Sequence, residues 1–178
     1  MLPPEIILPV TEPEMEWVRG RALQKVSPSR DHSRLQTEFA SALNAWSRGR
    51  GEVGTEWRFR VPVPGEGRRP LVPDIAFVDA ASLRNLKADE LQVPPIAPTV
   101  AVEILSPGDD PRDVAAKIDA YLRAGTLLAI VVDPHARTIA LHDALRTLHV
   151  RAGDRLAHAA LPAFDLDVAE LFALALGR

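Results

Sequence analysis

The chain has 178 residues, a length suited to one domain, and is 47% hydrophobic and 25% charged, which leaves enough apolar material for a packed core. It has no cysteine, so disulfides, thiolate metal sites and cysteine nucleophiles are excluded. A net charge of −3 argues against a protein that coats nucleic acid through bulk charge. The charge is uneven, however. From Trp17 to Arg69 there are 11 Lys+Arg against 5 Asp+Glu, and the rest of the chain carries −9. A basic lobe beside an acidic remainder can hold a phosphate backbone on one side and a metal on the other; unpatterned surface charge gives the same count. No apolar run approaches the roughly 20 residues of a membrane helix. The N-terminus lacks a basic stretch followed by an apolar core, so no signal peptide and a cytoplasmic location are expected.

Residues 1–16 are proline-rich and acidic and read as an N-terminal arm, with residues 17–178 as a single domain. SPSRDH (27–32) starts a helix, with Ser29 or Asp31 able to cap free N–H groups. Leu35, Phe39, Ala42 and Trp46 form one helical stripe, which Gly49 and Gly51 end. Apolar and charged residues alternate from Glu56 to Val61, predicting a half-exposed strand. Residues 62–70 read as a turn or loop and Leu71–Val78 as a second strand, with Pro73 marking an edge or bulge. Residues 80–98 are irregular. Thr99–Leu105 is a strongly apolar strand, and Ser106-Pro107-Gly108 breaks it. Asp109 or Asp110, followed by Pro111, opens a helix that runs to about Arg123 and stops at Gly125. Leu128–Val132 is a buried strand, residues 138–142 and 146–150 a hairpin, and Asp167–Leu176 a terminal helix. This order predicts an α/β (α+β) domain with one mixed central sheet and a crossover helix.

Two acids interrupt apolar strands: Asp74 in LVPDIAFV and Glu103 in TVAVEIL. A buried carboxylate needs a partner, because an unpaired buried charge costs several kcal/mol or more. On neighbouring strands, about 4.8 Å apart, both could converge on one hard cation, Mg²⁺ or Mn²⁺. Alternatively each pairs with an arginine or caps a strand end. Asp113, Lys117 and Tyr121 are spaced i, i+4, i+8 on the helix after the Glu103 strand and share one face. Lys117 could reach back to Glu103, orient a water and stabilise charge on a phosphate. The alternative is an exposed Asp113–Lys117 pair with Tyr121 as packing.

PDIAFV, VAVEILSPGDDPRDVAAKIDAYLRAG and LLAIVVDP, together with SPSRDH, resemble the Uma family, a large bacterial group described as restriction endonucleases within the PD-(D/E)XK superfamily. The likeness spans roughly residues 15–175 and implies a restriction-endonuclease-like mixed sheet flanked by helices. It implies Asp74 and Glu103 as metal carboxylates, joined by the backbone carbonyl of Ile104. The superfamily's usual lysine falls two residues after the acid, where this chain has Leu105; Lys117 is the implied replacement. His32 matches a first-helix histidine that could contact a phosphate, a water or the metal's surroundings, or simply make a local hydrogen bond. Glu38 is a loose match to a helper acid on that helix. Ser106 could touch the site or cap the next helix. The other histidines lack metal-ligand spacing.

The function expected from the resemblance is Mg²⁺-dependent hydrolysis of DNA phosphodiester bonds, with Arg58, Arg60, Arg68 and Arg69 contacting the backbone. The alternatives are a nuclease-fold protein that binds or regulates without turnover, and an accessory domain that binds protein. Cutting both strands needs two sites, which a homodimer would supply; the sequence does not show one.

Overall fold

The computed structural model describes residues 5–177. A hairpin of β1 (Met15–Val18) and β2 (Arg21–Gln24) precedes helix α1 (Arg30–Ser47). Next come β3 (Gly51–Thr55), a second hairpin of β4 (Phe59–Pro62) and β5 (Arg68–Leu71), β6 (Ile75–Asp79) and the short helix α2 (Ala80–Arg84). β7 (Val100–Ile104), α3 (Pro111–Arg123) and β8 (Leu128–Asp133) form a strand–helix–strand unit. The chain continues through β9 (Thr138–His142), β10 (Thr147–Arg151), β11 (Arg155–His158) and β12 (Leu161–Asp167) to helix α4 (Val168–Leu176).

Six strands build the central sheet in the order β10-β9-β8-β7-β6-β3. Within it β7 and β8 are parallel and the other neighbours antiparallel. Parallel neighbours cannot be joined by a tight turn, which is why α3 crosses between them. β7 and β8 are buried on both faces, as their near-continuous apolar sequences require.

Side-chain alternation along β7 divides the core in two. Val100, Val102 and Ile104 face one layer with Leu35, Phe39 and Leu43 of α1 and Leu171 and Phe172 of α4. Ala101 faces the other, with Ile118 and Tyr121 of α3 and Phe59, Val61 and Leu71 of the second hairpin. On α1 the fully buried stripe is Leu35, Phe39 and Leu43, while Ala42 and Trp46 flank it half-buried. Each such residue contributes roughly 1.5–3 kcal/mol of burial. Ser29 caps this helix by accepting the His32 N–H; Asp110 caps α3 and Asp167 caps α4.

Residues 80–98, expected to be irregular, open on helix α2, which Asp79 caps, and three further local expectations change. The strand expected over Glu56–Val61 is split: β3 ends at Thr55, Glu56 adopts a left-handed φ of 51°, and β4 starts at Phe59. β3 itself has a weak strand signal because it opens on Gly51. A Cβ there would lie 2.1 Å from the Val78 carbonyl of β6, so the strand pairing needs glycine at this point. The turn expected at residues 62–70 runs into β5, so Leu71–Val78 is not one strand. Val72–Asp74 is an irregular link between β5 and β6.

Residues 1–4 of the expected arm, and residue 178, lie outside the described residues. The rest of the arm packs onto the domain: the Ile6 N–H donates to the Arg68 carbonyl, Arg58 ion-pairs with Glu14, and Glu16 is buried in β1. Among the described residues, no helix is long and apolar enough to cross a membrane.

Candidate active site

The β6–β7 ladder ends at the pair Ile75–Val102. Beyond it, Ile104 still turns its N–H toward the β6 side, because alternate residues of β7 address alternate neighbours. No strand residue is there to accept. The Asp74 carboxylate fills the place: its Oδ2 accepts the Ile104 N–H at 2.6 Å. The Ile104 carbonyl lies on the same side by the same alternation. The irregular link before β6 thus lets a side chain act where a strand would otherwise continue.

Asp74 is held from three further directions. His32 Nε2, on the first turn of α1, lies 3.1 Å from Oδ2. Lys25 Nζ, from the loop after β2, lies 2.7 Å from Oδ1. Gln36 Nε2, one turn beyond His32, donates to the Asp74 carbonyl and to Glu56 Oε1, both at 2.8 Å. Burial pushes the Asp74 carboxyl up, but the His32 hydrogen bond and the charges of Lys25 and Lys117 outweigh it and hold the group well below the usual carboxylate range. Asp74 therefore stays ionised.

Glu103 points to the opposite face of β7, toward α3. Lys117 Nζ donates to its Oε2 at 2.6 Å and the Tyr121 hydroxyl to its Oε1 at 3.0 Å. Lys117 also donates to Glu16 Oε2 at 2.9 Å, and the other Glu16 oxygen accepts the Val72 N–H at 2.7 Å. Full burial raises the Glu103 carboxyl; Lys117 opposes this, and the neighbouring Asp74 and Glu16 charges add to it. The same carboxylates raise Lys117 against its own desolvation and keep it protonated. Tyr121 is raised as well, first by burial and then by Glu103, so its hydroxyl remains a donor.

These groups converge on a cavity of about 770 Å³ lined by Glu16, Lys25, His32, Asp74, Glu103 and Lys117 among others. The helical face Asp113–Lys117–Tyr121 is buried rather than exposed. Lys117 pairs with Glu103 and Glu16, not with Asp113, which instead accepts from Arg19 and Arg21 of the first hairpin. Ser106 lines the cavity mouth, and its backbone N–H donates to Asp109.

Other expected site residues lie elsewhere. Glu38 does not line the cavity and pairs with Arg34 at 3.1 Å. Of the four arginines expected to hold a phosphate backbone, Arg58 is paired with Glu14, Arg60 with Glu5 and Arg69 with Glu66. Only Arg68 has no carboxylate partner among the described residues. Two site residues, Glu16 and Lys25, carry no motif. Their signal is indirect: buried acids demand cations, and the chain has few lysines.

Among the described residues, no group of three or more His, Asp or Glu side chains is arranged around one metal position. The candidate donors are nonetheless all hard oxygens: the carboxylates of Asp74 and Glu103 and the Ile104 carbonyl, all at the cavity wall. Such a set suits Mg²⁺ or Mn²⁺, which keep several waters, better than Zn²⁺.

Residues 6–169 match the Uma2 family, described as "Putative restriction endonuclease". The fold matches the crystal structure of a "putative nuclease belonging to DUF820" from Anabaena variabilis ATCC 29413, with a TM-score of 0.84, 26% identity and 95% of each chain covered. The comparison with curated proteins finds no match.

Proposed function

This chain belongs to the Uma2 family, and on that footing we propose that it is a divalent-metal-dependent endonuclease hydrolysing phosphodiester bonds of DNA. The observation that carries the reading is the convergence on one cavity of an ionised Asp74, Glu103 from β7, and a lysine fixed on α3, the helix that follows β7. Asp74, Glu103 and the Ile104 carbonyl are the residues to hold Mg²⁺ or Mn²⁺. When bound, such an ion polarises a phosphoryl oxygen and lowers the pKa of water.

The chain's own residues prepare for this chemistry. Lys117 stays cationic between Glu103 and Glu16, so its ammonium is aimed at the cavity without a search through rotamers. Fixed positive charge is what a phosphate gains from as negative charge builds on its oxygens. Glu16 accepts a second hydrogen bond from Lys117 and so helps to orient it. Tyr121 fixes the remaining Glu103 oxygen. His32 holds Asp74 in place and stands at the cavity wall, within reach of a substrate phosphate or its water.

Supercoiled plasmid incubated with the purified protein and Mg²⁺ or Mn²⁺ tests the reading. Cleavage by the wild type, abolished by chelator and by Asp74→Ala, Glu103→Ala and Lys117→Ala, is expected. Cleavage that persists in all three variants would end the proposal. Linear rather than nicked product would indicate two copies acting together.

A further inference from the structure

Lys25 is the second ammonium of the site, and its surroundings differ from those of Lys117. Its Nζ is held by three oxygens from three segments: Asp74 Oδ1 at 2.7 Å, Glu56 Oε2 at 2.7 Å and the Val72 carbonyl at 2.9 Å. Two of the ammonium's three N–H donors go to Asp74 and the Val72 carbonyl, and Glu56 adds a third oxygen in ion-pair contact. The result is an oxygen cage around a cation, with Asp74 as one wall. The other Asp74 oxygen is already engaged by the Ile104 N–H and His32.

The two lysines are anchored differently. Lys117 projects from α3 and is enclosed by Glu16 and Glu103. Lys25 rises from the loop after β2 and its side chain remains 13% exposed at the cavity mouth. Its backbone is pinned separately, its N–H donating to the Glu14 carbonyl at 2.9 Å. The ammonium can therefore leave while the loop stays in place.

Charge gives the arrangement a direction. Four carboxylates, Glu16, Glu56, Asp74 and Glu103, face the two lysines. A divalent ion at Asp74 must either share the carboxylate with a positive charge in hydrogen-bond contact or drive that charge away. Both cost free energy in a buried, weakly screened site. We infer that Lys25 is a resident cation that competes with the divalent ion for Asp74 and so sets how tightly the site takes that ion. The inference rests on the metal-dependent reading above. Lys25 offsets part of the negative charge in the ion-free protein, and the same contacts weaken the binding of the ion.

Calorimetric titration with Mn²⁺, paired with thermal melts with and without Mn²⁺, tests this on the wild type, Lys25→Met and Lys25→Arg. Lys25→Met keeps the bulk of the stem and removes the charge. It should bind Mn²⁺ at least tenfold more tightly than the wild type, and its Tm should rise more on adding Mn²⁺. Lys25→Arg should retain wild-type affinity. If Lys25→Met is unfolded without metal, saturating Mn²⁺ should restore its fold; failure to do so overturns the inference. Equal or weaker Mn²⁺ binding by Lys25→Met overturns the competition alone. No Mn²⁺ binding by wild type and Lys25→Met alike overturns the metal-dependent reading and the competition with it.

Discussion

Asp74 Oδ2 accepts the Ile104 N–H at 2.6 Å at the point where the β6–β7 ladder has already ended. One carboxylate therefore serves two purposes: it satisfies a strand N–H that has lost its neighbour, and it presents negative charge to the cavity. Both of its oxygens face donors, Lys25 on one and Ile104 with His32 on the other. Asp74→Asn cannot reproduce this, because its NH₂ group must point at a donor whichever way the amide is turned. A buried donor left facing a donor costs about 1–3 kcal/mol. The variant should melt several degrees below the wild type as well as lose cleavage, and circular dichroism with plasmid cleavage measures both. An unchanged Tm would show that the Asp74 contacts do not support the fold.

Lys117 carries the strongest catalytic expectation. Lys117→Met should lower Mg²⁺-dependent cleavage by about a hundredfold or more, the usual scale for a positioned group acting on proton or charge. It also leaves Glu103 and Glu16 facing each other without the cation between them. Breaking a buried pair in this way costs about 3–5 kcal/mol. Combining it with Glu16→Gln should recover part of that loss, since the buried acid left without its ammonium then carries no charge. A double variant whose stability is the plain sum of the single losses would mean that Glu16 and Lys117 are not coupled.

The parts of this fold that were legible in the sequence are those with a long period or a clear stop. α1, β7, α3, β8, the β9–β10 hairpin and α4 each show a helical stripe or an apolar run bounded by Gly, Pro or a capping Asp. β1–β2, β3 and β11–β12 do not. All but β12 are short, β12 is broken by Pro162 and mostly exposed or half-buried, and β3 reads Gly-Glu-Val-Gly-Thr, with a single large apolar side chain. The acids Asp74 and Glu103 stood out because each interrupts an apolar stretch of sequence. Their partners could not be read in the same way. Lys25 reaches Asp74 across 49 residues, and Lys117 reaches Glu16 across 101. No spacing rule connects positions so far apart. Helical spacing does explain the choice between Glu38 and Gln36: Gln36 lies four residues after His32 and shares its face, whereas Glu38 lies on another face.

That difference on α1 is measurable. Glu38 makes an exposed i, i+4 pair with Arg34, and such pairs contribute about 0.3–0.5 kcal/mol. Glu38→Ala should leave cleavage within about twofold of wild type, a shift no larger than that pair's worth. His32→Ala removes the contact to Asp74 Oδ2 and should lower cleavage about tenfold, less than the roughly hundredfold or more of a group that itself moves the proton. Equal effects from the two variants would contradict the placement of His32 at the cavity and Glu38 outside it.

Glu103 makes the ion-free protein sensitive to pH in a direction that can be worked out. Its carboxyl is raised from an ordinary 4.5 to about 8, first by burial and then by the Asp74 and Glu16 charges, with Lys117 opposing. Between these values the folded protein holds a proton that the unfolded chain has released. Stability therefore falls as pH rises through this window, since the slope follows the protons bound in the unfolded state minus those bound in the folded state. The stabilisation is complete below 4.5 and lost above about 8. His142 acts in the opposite sense, because burial lowers its pKa and its neutral form is the one favoured in the fold. The informative quantity is therefore the difference between wild type and Glu103→Gln, which cannot titrate at this position. Urea unfolding in the presence of chelator at several pH values should show the wild type losing stability relative to Glu103→Gln as pH rises from 5 to 8 (about the span of the raised carboxyl). Parallel curves for the two proteins would mean that Glu103 is already ionised throughout, with its charge fully met by Lys117.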